Sequence, residues 1–224
     1  MVAIVGINGI GKSTLLRTLG KVQPKLKGDI WVDGKLLKDM KPLQLAVAIS
    51  VVLTEPIASK NMTVYELVAL GRQPYTNWIG TLSPSDRSKI TMALQMLELE
   101  DFQGKKCYEL SDGQLQRVMI ARAIAQETAI ILLDEPTTHL DLYHKVKILK
   151  LLKSIAQQTN KTILFISHEI AMAIQLCDKI LLLNDDNNPF GTPQELIGQR
   201  AFDKLFPSDT VSFDAETGMF QMSE

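Results

Sequence analysis

The sequence has few of the features that mark metal-binding, nucleic-acid-binding or membrane-spanning proteins. Its 224 residues include only two cysteines, Cys107 and Cys177, and their spacing fits no metal site. Lysine and arginine number 24 against 25 acidic residues, so there is no basic excess to attract nucleic acid. No apolar run approaches the ~20 residues of a membrane span, and the short apolar N-terminal run does not resemble a signal peptide.

These absences favour a cytosolic globular protein with two reduced thiols, and a disulfide between the two cysteines is the alternative. The composition is ordinary for such a protein, with 46% hydrophobic and 22% charged residues. If the protein works at a membrane, another chain must hold it there.

A phosphate-binding pattern lies near the start of the chain, where Gly6 is followed after four residues by Gly11-Lys12-Ser13. The glycines let backbone N–H groups point into one concavity, and the helix that follows adds its free N–H groups. Lys12 supplies a charge for the β- and γ-phosphates, and the Ser13 hydroxyl is placed to ligate Mg²⁺. The predicted nucleotide-binding residues are Gly6, Asn8, Gly9, Gly11, Lys12, Ser13 and Thr14.

Four apolar runs predict buried strands that each end in polar residues. The runs cover residues 2–5, 49–53, 129–133 and 162–166. In an open parallel α/β sheet the carboxyl ends of the strands line the ligand crevice. The phosphate loop, Thr54 or Glu55, Asp134 with Glu135, and His168 should therefore converge on one nucleotide.

The pattern predicts the chemistry of these strand ends. Asp134 can hold Mg²⁺ directly or through water. Glu135 could orient or deprotonate an attacking water. We predict an α/β P-loop fold with a mostly parallel sheet flanked by helices, a helical subdomain inserted at about 63–126, and a partial antiparallel β subdomain.

Two further stretches give a specific resemblance. Leu110-Ser111-Asp112-Gly113-Gln114, lying between the phosphate loop and Leu132-Leu133-Asp134-Glu135-Pro136-Thr137, resembles the signature of ABC-transporter ATPase subunits. The family usually has glycine where Asp112 stands. The stretch 138–141 is similar to the family's D-loop and 166–169 to its H-loop, so the motifs follow the family order.

The resemblance implies a single ABC ATPase domain over 1–224 and a mechanism. Two copies would face head to tail with two ATP molecules between them, each bound by one phosphate loop and by the other copy's Ser111, Gly113 and Gln114. Glu135 would activate water and His168 would contact the γ-phosphate. Asp141 would communicate across the dimer.

The resemblance also implies partners and a location. Closure on ATP would power an attached transmembrane permease at the cytoplasmic face of the plasma membrane, served indirectly by an external substrate-binding protein. The stretch 63–75 is similar to the ATPases of importers for ferric siderophores, haem and cobalamin. The alternatives are a soluble ABC ATPase uncoupled from transport and a nucleotide-binding module with little turnover.

The sequence departs from the family pattern in two places. The family has glutamine at the end of its second strand, where this chain has Thr54 followed by Glu55. Either side chain has oxygens for a metal or water; we predict Thr54 as the contact there, with Glu55 as the alternative. The family also has preceding strands with an aromatic residue that stacks on adenine. That residue has no counterpart here, and we expect the sequence to be truncated.

Overall fold

The computed structural model describes residues 1–55, 59–185, 187–206, 211–215 and 217–222. Its strands are β1 (Val2–Gly6), β2 (Trp31–Val32), β3 (Lys35–Leu36), β4 (Ile49–Val52), β5 (Ile130–Leu133), β6 (Thr162–Ile166), β7 (Lys179–Leu183), β8 (Phe190–Gly191), β9 (Val211–Asp214) and β10 (Met219–Met222). Its α-helices are α1 (Lys12–Leu19), α2 (Pro42–Ala48), α3 (Val64–Ala69), α4 (Pro84–Met96), α5 (Asp112–Ala125), α6 (Leu142–Thr159), α7 (Ile170–Leu176) and α8 (Pro193–Gly198).

The main sheet has the strand order β4-β5-β6-β1-β7-β8. Every neighbouring pair is parallel except β7 with β8, which pair antiparallel at the edge. The predicted mostly parallel α/β sheet is thus confirmed, and the four strands with polar ends are neighbours within it. β8 is too short to leave a pattern in the sequence, and we did not predict it.

Side chains alternate between the two faces of the sheet and feed two separate cores, as the two-residue period of a strand requires. Ala3 and Val5 point into the larger core, which the helical segment and α6 cover. Ile4 points into the smaller core, where it packs near Leu16 of α1 and Val32 of β2. Both faces are therefore apolar, which explains why the strands lack polar alternation.

Two small antiparallel sheets flank the main one. β2 and β3 pair through a tight turn at Asp33-Gly34, whose positive φ angles of 50° and 74° suit a two-residue hairpin. Only two residues on each side of this turn pair, so both strands are short. β9 and β10 pair antiparallel in the other small sheet.

The helices α3, α4 and α5 pack together around one buried ion pair. Arg72, in the 3₁₀ turn Leu70–Tyr75, places its Nε 2.9 Å from Asp86 Oδ1 of α4, and both side chains are buried. Its Nη1 also donates to the carbonyl of Ala125, at the end of α5, over 2.7 Å. Arg72 thereby ties the turn after α3 to both of the other helices.

Gly71 lies close to the backbone of α5. A Cβ added there would lie 2.2 Å from the carbonyl oxygen of Arg122 in α5. No side chain fits at that separation, so glycine is required for α5 to pack against the turn.

Both cysteines are free and buried, which confirms the predicted reduced thiols. Burial raises the pKa of the Cys177 thiol to about 12 and also raises the pKa of Cys107. Within the described part of the chain, the helices are all too short or too polar to cross a bilayer.

We expect Gly71→Ala to destabilise the protein by about 1–3 kcal/mol, because the new methyl group must push α5 away from the turn. Chemical denaturation would measure this loss of unfolding free energy. Gly198→Ala is the matched control, since a Cβ there meets no atom within 4 Å. Equal stability of the two variants would contradict the close approach.

We expect neither thiol of the folded protein to react readily with an aromatic disulfide reagent at about pH 8, because thiols with raised pKa values stay protonated there. Unfolding in denaturant should release both thiols to fast reaction. Rapid labelling of the native protein would show that burial does not protect them.

Candidate active site

The phosphate loop connects β1 to α1 and has the conformation that its glycines allow. Gly9 and Gly11 have φ angles of +84° and +103°, which side chains disfavour. Lys12 is buried, and its Nζ donates to the carbonyls of Gly6 at 2.9 Å and Ile7 at 3.0 Å. Burial lowers the pKa of Lys12, while the charge of Glu135 opposes that change. The loop therefore holds the Lys12 ammonium group against two of its own carbonyl oxygens.

Asp134 lies directly beneath the loop. The Ser13 hydroxyl donates to its Oδ1 over 3.0 Å. The ladder between β4 and β5 continues one bond further, from Asp134 N to Val52 O at 2.8 Å, which fixes the backbone at this strand end. Burial, with a smaller effect of the Glu135 charge, raises the pKa of Asp134, and the hydrogen bond from Ser13 opposes it.

Both carboxylate oxygens of Glu135 are engaged. His168 Nε2 lies 2.7 Å from Oε1, and Thr138 Oγ1 donates to Oε2 over 2.9 Å. Because an ionised carboxylate only accepts, His168 carries its proton on Nε2 in this contact. Glu135 also has a φ of +50°, a conformation that costs about 1–3 kcal/mol in residues other than glycine.

The electrostatic surroundings keep Glu135 ionised. Burial is the largest single influence and raises its pKa, but hydrogen bonds from His168 and Thr138 and the charge of Lys12 outweigh burial. The pKa of Glu135 is therefore below its ordinary value. Asp134 and Glu135 are adjacent in sequence, yet their surroundings shift their pKa values in opposite directions.

A cleft of about 420 Å³ brings most of the predicted site together. Its lining residues are Asn8, Gly9, Gly11, Lys12, Ser13, Thr14, Glu135 and His168. Two other predicted residues contact the lining without forming part of it. The Gly6 carbonyl accepts a hydrogen bond from Lys12, and the Asp134 carboxylate accepts one from Ser13. The structure thus brings the phosphate loop, Asp134, Glu135 and His168 together, while their binding of one nucleotide stays a prediction.

Thr54 is exposed at the end of β4 and does not line this cleft. Its neighbour Glu55 instead contacts Arg17 of α1, with 3.0 Å between Glu55 Oε1 and Arg17 Nη2. A role for Thr54 at the metal stays a prediction.

The residues expected to act on a second copy lie apart from this cleft. Ser111, Gly113 and Gln114 line a separate surface pocket of about 140 Å³ at the start of α5. Ser111 caps the helix by accepting from Gln114 N at 3.3 Å. Asp141 caps α6 in the same way, accepting from His144 N at 2.9 Å.

Two contacts at the site were missed by the sequence interpretation. The Thr138 hydroxyl follows Glu135 by three residues, a spacing that could have suggested a local hydrogen bond. Arg17 follows Ser13 by one helical turn and so shares its face, but its partner Glu55 is distant in sequence. Only the fold could reveal that pair.

Comparisons with known proteins agree with the geometry of the cleft. The family model described as ABC transporter matches residues 1–138. A petrobactin import ATP-binding protein of Bacillus anthracis is 34% identical over 225 residues, covering 100% of this chain and 80% of that protein.

Two solved structures are also similar. One is an inward-facing metal-chelate type ABC transporter, with a TM-score of 0.78, 31% identity, and coverage of 92% of this chain and 77% of that one. The other is a dimeric ATP-binding cassette in a post-hydrolysis state with ADP and phosphate, with a TM-score of 0.72, 32% identity and 84% coverage of both chains.

The family model covers more than half of the chain, and the relatives extend the similarity over its whole length. Its phosphate loop lines one cleft together with Glu135 and His168. The chain belongs to the family of ABC transporter ATP-binding proteins, which are the ATPases that power these transporters.

Proposed function

We propose that this chain hydrolyses ATP to power the import of a metal chelate, with ferric siderophores as the first candidates. The observation that carries the proposal is the cleft in which Lys12 and Ser13 face Glu135 and His168. It brings a phosphate-binding loop and a hydrogen-bonded carboxylate into the lining of one space.

The phosphate loop binds the triphosphate. Its backbone N–H groups and the start of α1 offer donors and a positive dipole end to phosphate oxygens. In this structure the Lys12 ammonium group donates hydrogen bonds to two carbonyls of its own loop. A charged phosphate is a stronger acceptor than a carbonyl, so the ammonium turns to the β- and γ-phosphates when ATP enters.

The residues at the loop suit a magnesium ion. Ser13 and Asp134 offer a hydroxyl and a carboxylate 3.0 Å apart, and Mg²⁺ prefers such hard oxygen ligands. The described residues contain no cluster of three or more His, Cys, Asp or Glu side chains that could hold a metal alone. Phosphate oxygens and water would therefore complete the coordination. Bound there, the ion neutralises developing charge on the phosphates.

Glu135 acts on water. Its ionised state and its place across the cleft from Lys12 suit a general base that orients and deprotonates a water molecule aimed at the γ-phosphate. His168 holds one oxygen of that carboxylate and Thr138 the other. His168 also lines the cleft, so it can reach the γ-phosphate from the same position.

A second copy of the chain completes the site. The similar cassette is dimeric with ADP and phosphate bound, which supports this assembly. Ser111, Gly113 and Gln114 lie at the exposed start of α5, outside the cleft of their own chain, and can serve the nucleotide of a partner. Asp141 precedes α6 beside them and would contact the partner's loop.

Permease subunits hold the protein at the cytoplasmic face of the membrane and move in response to its movements. The segment after α3 supports this role, because Tyr75, Trp78 and Ile79 are exposed apolar side chains close together in sequence. An external binding protein would deliver cargo to the permease. Cobalamin is a further cargo of the same chemical kind, a large metal complex.

We expect Glu135→Gln to keep nucleotide binding while lowering hydrolysis by about 10²–10⁴-fold, because the amide cannot accept the proton of water. With ATP and Mg²⁺ the variant should then accumulate as a dimer in light scattering. Adding Lys12→Ala to the same variant is the control, since loss of phosphate binding should return it to monomer. A Glu135→Gln protein with undiminished ATPase activity would remove Glu135 from the role of base.

We expect Thr138→Val to lower kcat by about ten- to a hundredfold with little change in ATP affinity, because Glu135 loses one of the two bonds that orient it. Thr138→Ser keeps the hydroxyl and should retain most of the activity. If valine and serine variants behave alike, the hydroxyl does not position the base.

A further inference from the structure

Arg17 stands between two carboxylates beside the proposed magnesium site. Its Nη2 lies 3.0 Å from Glu55 Oε1, while its Nε lies 3.9 Å from Asp134 Oδ2. Both contacts are ion pairs, and the second is too long for a hydrogen bond. The guanidinium therefore lies closer to Glu55 than to Asp134.

The two oxygens of Asp134 face different groups of the same helix. Ser13 donates to Oδ1, and Arg17, one turn further along α1, faces Oδ2. Residues four apart share one face of a helix, so this arrangement follows from the sequence spacing. Any shift of Arg17 toward the strand end would place a cation directly on the proposed metal ligand.

The Nε–H of Arg17 makes that shift favourable. Its nitrogen is buried and has no hydrogen-bond partner among the described residues. A buried donor without an acceptor is costly, and the nearby Asp134 oxygen would satisfy it. An arginine with both Nε and Nη2 available forms a paired contact with a carboxylate readily. The ion pair between Glu55 and Nη2 opposes this shift of the guanidinium toward Asp134.

We propose that Glu55 restrains Arg17 so that the Asp134 carboxylate stays available to magnesium, and that Glu55 thereby sets the Mg²⁺ concentration at which nucleotide binds. This inference rests on the proposed function, in which Ser13 and Asp134 hold the ion. Glu55 and Arg17 are positioning residues, since both act through Asp134.

A charge count leads to the same expectation. Asp134, Glu55 and Arg17 together carry one net negative charge beside the metal position. Removing the Glu55 charge leaves the group neutral, which weakens the attraction for a divalent cation. Removing the charges of Glu55 and Arg17 together restores the original balance.

A structural role alone does not explain the pair. The Glu55 side chain is 62% exposed, and exposed ion pairs contribute little to stability. We therefore expect Glu55→Gln to leave the thermal unfolding midpoint nearly unchanged, which also keeps the variant usable for binding measurements.

The test is a magnesium titration of binding of a fluorescent, slowly hydrolysed ATP analogue to the full chain. We expect Glu55→Gln to raise the half-saturating Mg²⁺ concentration by about three- to tenfold. Adding Arg17→Gln should return it to within about twofold of wild type or lower, because the competing cation is gone. Glu100→Gln makes the same charge change on an exposed residue outside the cleft and should have no effect.

An unchanged magnesium requirement in Glu55→Gln would overturn the inference. So would a raised requirement that Arg17→Gln does not reverse, since Glu55 would then act without Arg17. Failure of the proposed function looks different: the wild-type chain itself would show no magnesium-dependent binding of the analogue.

Discussion

The parallel register of β4, β5, β6 and β1 is the constraint on which the site depends. Because the strands run in one direction, their polar ends emerge at one edge of the sheet. At two of these ends, one further backbone hydrogen bond extends the pairing past the strand. Asp134 N bonds to Val52 O, and Ser167 N bonds to Ile4 O at 3.1 Å. A slip of one residue in either pairing would turn the next side chain to the opposite face. Glu135 and His168 follow the neighbouring strands β5 and β6, and the parallel register that sets Leu133 beside Phe165 brings them together.

Burial and hydrogen bonding then separate the two acidic neighbours. Asp134 is almost fully enclosed, and burial raises its pKa despite the bond from Ser13. Glu135 is more open and gains two side-chain donors, so its pKa falls. A divalent cation favours the charged form of Asp134 and would offset the effect of burial. The same strand end thus supplies a metal ligand and a base from consecutive residues.

Much of this site could be predicted from the sequence, because its residues sit where local patterns end. The phosphate loop has fixed spacing, and Asp134, Glu135 and His168 follow apolar runs that are recognisable as buried strands. Contacts between side chains of distant segments, such as Arg72 with Asp86 or Arg17 with Glu55, depend on packing that no local pattern encodes. Assembly with a second copy stays a prediction, since a single chain does not test it.

The packing of α5 has a mechanical consequence. Arg72 grips the carbonyl of Ala125 at one end, and Ser111 begins the helix at the other. With 14 residues between Asp112 and Ala125, the helix is a rod about 20 Å long. Because Gly71 lies so close to the backbone of α5, the helix has little freedom to slide. The helix therefore links the turn that carries Tyr75 to the surface pocket at Ser111 as one rigid element.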